Sequence, residues 1–89
     1  MEIKERLLIA FKDEVNRLID LENNNKLSER ALNDSFNSML DYMDEVYTSK
    51  DIAHDFSLDL YDIRNLINIL EHHQPIIVCY MKAIEYLED

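Results

Sequence analysis

The stretch LENNNKLSERALNDSFNSML, residues 21–40, decides how this chain folds. Three consecutive asparagines at 23–25 interrupt a helical pattern. Asn tolerates the left-handed backbone conformation and bonds to its own backbone, so it marks a turn. Three residues later Ser28 has the chemistry of a helix N-cap, with Glu29 adding negative charge where the helix dipole is positive. One helix therefore ends and another begins within about five residues. A connection that short predicts two long helices lying antiparallel.

Upstream, Ile3, Leu7, Leu8, Phe11, Val15, Leu18 and Ile19 recur at steps of three and four, one stripe of an amphipathic helix over about residues 2–22. Downstream, Ala31, Leu32, Phe36, Met39, Leu40, Met43, Val46 and Tyr47 carry the same period to about residue 48. Thr48 or Ser49 then suits the cap of a short third helix through Phe56, and Ser57 or Asp59 that of a fourth to about His72. The sole proline, Pro75, suits the first turn of a fifth helix to about Leu87, because its missing N–H has no partner there in any case.

The expected fold is all-α: a single-domain bundle of four to five helices over residues 1–89, built on the N-terminal hairpin with the shorter C-terminal helices packed against it. With 47% hydrophobic residues the chain can form a core, and the lack of any Gly removes the usual residue for β-hairpin turns. Leu7, Phe11, Leu32, Phe36, Leu40, Ile63 and Leu66 are the expected buried set.

The charge is lopsided. The net −10 comes from 19 acids against 9 bases, and between Asp34 and Asp62 eight acids face one base, Lys50, leaving −7. Such a segment repels phosphate and attracts basic surfaces. A single Cys79 allows no internal disulfide and fits a reducing compartment. The charged N-terminus has neither the basic start nor the apolar run of a signal peptide, and the longest apolar run, residues 76–81, is far too short for a membrane span. The expected location is the cytoplasm.

No catalytic grouping emerges, so the expectation is a non-enzymatic protein without cofactor. His54, His72, His73 and Cys79 are the nitrogen and sulfur ligands, but adjacent histidines on a helix diverge by about 100°, and capping, surface or core roles fit them better than a metal. Calcium and phosphate loops both call for Gly. Met39, Tyr42, Met43, Tyr47, Tyr61, Tyr80 and Tyr86 form a soft, amphipathic set: as core residues they pack, and where exposed they suit interface anchors.

Residues 49–67, SKDIAHDFSLDLYDIRNLI, resemble a helix-turn-helix motif. Its apolar packing positions fall on Ile52, Ala53, Phe56, Leu58, Ile63 and Leu66. The resemblance implies a recognition face of Tyr61, Arg64, Asn65 and Asn68 on the second helix, residue types able to touch base edges. The sequence departs from the motif in two ways: Ser57 stands where Gly is usual, and Asp51, Asp55, Asp59 and Asp62 outweigh Lys50 and His54 where phosphate contacts belong. Duplex affinity depends on Lys and Arg displacing counterions, so this charge argues against direct DNA binding.

The expected function is that of an acidic interaction protein, a DNA mimic in charge, that blocks or regulates a basic, nucleic-acid-binding protein such as a nuclease. Inhibitors, antitoxins, immunity proteins and phage anti-defence proteins are the class analogy. The expected partner-binding residues are Asp41, Asp44, Glu45, Asp55, Asp59, Asp62, Tyr61, Arg64 and Asn65. A helix-turn-helix transcriptional regulator reading DNA through residues 49–68 is the alternative, and a self-assembling structural subunit is a third reading. A homodimer is compatible with each.

Overall fold

The computed structural model describes residues 2–48, 57–72 and 75–88. Among them lie four helices and no strand: α1 (Ile3–Asn23), α2 (Glu29–Thr48), α3 (Leu60–His72) and α4 (Ile76–Glu88). The expected short helix over residues 49–56 lies outside the described residues, as do Asp51, Ile52, Ala53, His54, Asp55, Phe56 and His73.

The Asn triplet ends α1 as its chemistry requires. Asn25 takes φ 56°, the left-handed position that Gly usually fills. Its N–H bonds the Glu22 carbonyl at 3.1 Å, and Lys26 N–H bonds the Leu21 carbonyl at 2.8 Å. This is the paired closure of a Schellman motif, which satisfies carbonyls that the helix end leaves open. Asn24 adds its side-chain amide to the Asp20 carbonyl at 2.8 Å. Ser28 then caps α2, its hydroxyl accepting the Ala31 N–H at 3.1 Å.

Of the two residues expected to cap the helix that ends near His72, Asp59 is the one used. At the head of α3, Asp59 Oδ1 accepts the Asp62 N–H at 2.9 Å, while Asp62 Oδ2 accepts the Asp59 N–H at 3.2 Å, a reciprocal capping box built from two aspartates. Ser57 instead serves α1: its hydroxyl accepts the Lys4 N–H at 3.2 Å, a cap supplied from 53 residues away. Pro75 stands just before α4, and its carbonyl accepts from Val78 and Cys79 at 2.9 and 3.2 Å.

The helices form an up-down-up-down bundle whose neighbours run antiparallel. Phe11 meets Tyr80 across α1 and α4, with ring centroids 5.6 Å apart. Glu14 meets Ser35 across α1 and α2, and Asn65 meets Tyr86 across α3 and α4. The most extensive interface joins α1 to α4, followed by α3 with α4 and α1 with α2, whereas α2 and α3 barely approach each other. The centre is thus the α1–α4 pair rather than the N-terminal hairpin. The reason is composition: the short α4 buries Ile76, Cys79, Tyr80, Ala83 and Leu87 on one face and half-buries Ile77, Ile84 and Tyr86 beside it, so it can serve two neighbours.

Leu7, Phe11, Ile63 and Leu66 are buried as expected, but Leu32, Phe36 and Leu40 are only half-buried. The buried line of α2 is Ser35, Met39, Met43 and Val46. From Val46 round to Leu40 the apolar stripe of α2 spans about 120° of the helix at about 100° per residue, more than α1 and α4 can cover. Of its half-buried members, Leu40 lines the α2–α3 seam. No described helix is long and apolar enough to cross a membrane.

Candidate functional site

Four polar side chains tie three helices together inside the bundle. Ser35, the buried polar residue of α2 at 1% exposure, donates its hydroxyl to Glu14 Oε2 at 2.9 Å. Because that proton is committed, the Tyr80 phenol donates to Ser35 Oγ, also at 2.9 Å. Arg17 closes the chain on Glu14 Oε1. Burial pushes the Glu14 carboxyl upward, but the hydrogen bonds from Arg17 and Ser35 and the Arg17 charge together hold it below the ordinary glutamate value. Burial raises the Tyr80 phenol to about 12, outweighing the opposing Ser35 bond. No described buried side-chain polar atom lacks a partner. The relay runs from the fully buried Tyr80 and Ser35 out to Arg17 at the surface, and it orders the core. Sequence reasoning missed it: a serine in an apolar stripe is visible, but nothing in the sequence indicates that Glu14 and Tyr80 arrive beside it.

A second network occupies residues expected at a partner surface. Tyr86 donates to Asp62 Oδ1 at 2.8 Å and accepts from the Asn65 amide at 3.1 Å. The Tyr86 hydrogen bond, with the Asp59 backbone N–H, holds the Asp62 carboxyl below the ordinary aspartate value. Asp59, Asp62 and Asn65 therefore have internal duties at the head of α3. Beside them, Lys4, Ser57, Leu58, Asp62, Tyr86 and Leu87 line a cleft of about 350 Å³.

The other expected site residues point outward. Asp41, Asp44 and Glu45 are exposed on α2, with Asp34 on the same side. Together they span about 100° of the helix surface. Asp34 lies 4.0 Å from Arg30, but Asp41, Asp44 and Glu45 have no cationic partner among the described residues. They also crowd the C-terminal half of a helix whose last turn carries no base, where the dipole is negative. On α3, Tyr61 at 70% exposure, Arg64 and Asn68 face solvent, while Asn65 is turned to Tyr86. Asp55 lies outside the described residues.

Among the described residues, the bundle is least closed between α2 and α3. Leu40, Met43 and Tyr47 from one side and Ile63 and Ile67 from the other line an apolar slot of about 90 Å³, with Asp44 as the one charged lining residue among the described residues. Sequence reasoning named Leu40 and Ile63 for the core and Tyr47 as a candidate anchor, without bringing them together.

Cys79 is buried with its thiol directed at the Leu70 carbonyl, 3.5 Å away, and His72 Nδ1 lies 2.9 Å from the Asn68 carbonyl one turn back. Among the described residues no three His, Cys, Asp or Glu side chains gather to hold a metal ion. No protein-family model matches the sequence, and neither a curated protein nor a solved structure matches the chain.

Proposed function

We propose that this chain is a non-enzymatic, cytoplasmic interaction protein whose acidic α2 face docks on the basic surface of a nucleic-acid-binding protein, such as a nuclease, and blocks or regulates it. One observation carries the reading: Asp41, Asp44 and Glu45 stand exposed, without cationic partners among the described residues, toward the C-terminal end of α2. In the last turn Glu45 works against the helix dipole by about 0.3–1 kcal/mol, and Asp44 and Asp41, further in, less. Local stability therefore gains nothing from them, whereas a basic partner gains long-range attraction. Asp59 and Asp62 contribute to the field but not as free contacts, so the binding set narrows to the α2 acids, with Tyr61 and Arg64 on α3.

The test is reversal of Asp41, Asp44 and Glu45 to Lys. Affinity capture from the source cell at low and high salt identifies the partner. The reversed protein is expected to stay folded, with a raised melting temperature, while its association slows and loses its salt dependence. Unchanged association kinetics would reduce the acids to a solubility role. The helix-turn-helix alternative draws support from the exposure of Tyr61, Arg64 and Asn68, but commitment of Asn65 to Tyr86 leaves it a poorer reading head. That alternative requires sequence-specific duplex binding at about 150 mM salt, reduced by roughly 1–3 kcal/mol in Arg64→Ala. The proposed function requires no appreciable duplex affinity there.

A further inference from the structure

Among the described residues, the seam between α2 and α3 is the least closed side of the bundle. It joins two features found at helix-binding grooves: an apolar floor, Met43 and Ile63, and half-buried walls, Leu40 and Ile67. The slot holds roughly one aliphatic side chain. Asp44 stands in its wall without a cationic partner among the described residues, and Asp41 lies about 60° further round α2, on the solvent side. An acidic or neutral occupant would desolvate the Asp44 carboxylate without compensation, so the charge selects the occupant.

We infer that the slot receives an amphipathic, basic helix of the protein partner, which seats an aliphatic side chain between Leu40, Met43, Ile63 and Ile67 and sets Lys or Arg against Asp44 and Asp41. The inference rests on the acidic-face reading and adds the anchor to it. The acids attract and orient the partner, and the slot sets how long it stays, because desolvated apolar anchors act mainly on dissociation.

The probe is a synthetic amphipathic peptide of leucine and lysine, about four helical turns long. It is compared with one in which serine replaces leucine and one in which glutamate replaces lysine. Binding is followed by NMR on the methyl groups of Leu40, Met43, Ile63 and Ile67 and the backbone amides of Asp41, Asp44 and Glu45. Val78 and Met81, exposed on α4, report nonspecific adsorption. The leucine–lysine peptide should shift the slot methyls and the acidic amides together. It should bind at least tenfold more tightly than either control, and as much more weakly to Ile67→Trp, which fills the slot from a half-buried position. Circular dichroism checks that this variant is folded, and Leu40→Trp provides the same block from the other wall. Equal binding of the serine–lysine peptide, with shifts confined to the acidic amides, overturns the slot and leaves the acidic face standing. Equal binding of the leucine–glutamate peptide overturns the basic character of the occupant. Shifts centred on Val78 and Met81, or no shifts at all, overturn the inference, and the reversal of Asp41, Asp44 and Glu45 still tests the acidic face separately.

Discussion

Substituting Ser35 by Ala should damage the fold far more than its size suggests. Its hydroxyl donates to Glu14 and accepts from Tyr80, both at 2.9 Å. Without it the Tyr80 phenol, fully buried, loses its acceptor, a desolvation penalty of about 1–3 kcal/mol. The lost bond to the partly exposed Glu14 is largely replaced by water, and the better helix propensity of Ala returns about 0.5 kcal/mol or less. The net expectation is a loss of about 1–3 kcal/mol, out of a total of roughly 4–13 kcal/mol for a domain of this length. Tyr80→Phe removes the phenol and leaves Ser35 bonded to Glu14, so it should cost only about 0.5–1.5 kcal/mol. With the phenol gone, Ser35→Ala becomes milder, and the double variant should be less damaging than the sum of the singles by about 1 kcal/mol. Urea unfolding monitored by far-UV circular dichroism measures all three, with each kcal/mol also appearing as a melting shift of about 4–8 °C. A Ser35→Ala protein as stable as the parent, or strictly additive variants, would refute the relay. The relay also sets an alkaline limit. Burial raises the folded phenol from 10.0 to about 12, so its stabilisation is complete below pH 10 and fades as pH rises toward 12. Ultraviolet difference absorbance should find Tyr80 and Tyr86, out of the five tyrosines, ionising above the ordinary value of 10.0, Tyr80 near 12.

At acid pH the sign is opposite. Glu14 and Asp62 lie below their ordinary values of 4.5 and 3.8 in the folded protein, so their stabilisation is present above those values and is lost as pH falls below them through the lower folded values; denaturant midpoints should drop below about pH 4.5, less steeply in Glu14→Gln. Phe11→Ala should cost about 3–5 kcal/mol, but the half-buried Phe36 only about half as much in Phe36→Ala, and equal losses in thermal melts would contradict the α2 orientation. Asn25→Gly should stabilise modestly and Asn25→Ala destabilise by about 1 kcal/mol, since only the backbone preference at φ 56° differs; a stabilising Ala in the same melts would argue against the Schellman closure.

The sequence by itself determined the helices and where they break. Period, caps and turn chemistry are local, so the Asn triplet, Ser28 and the apolar stripe of α1 specify their structure without reference to the rest of the chain, and the excess of acid over base is plain composition. What only the tertiary structure decided is which edge of each stripe finds a neighbour and which polar groups become partners. The α2 stripe is broader than its neighbours can cover, so burial falls on Ser35, Met39, Met43 and Val46 and leaves Leu32, Phe36 and Leu40 half-buried. Asp59 and Asp62 look like Asp41 and Asp44 in the sequence, yet the first two close a capping box and, through Asp62, hold Tyr86, while the others stay exposed. Ser57 caps a helix that begins 54 residues before it, and Ser35 is satisfied by residues 21 and 45 positions away. Such pairings depend on how whole helices settle against one another, through the summed burial of many side chains, and no local pattern encodes that sum.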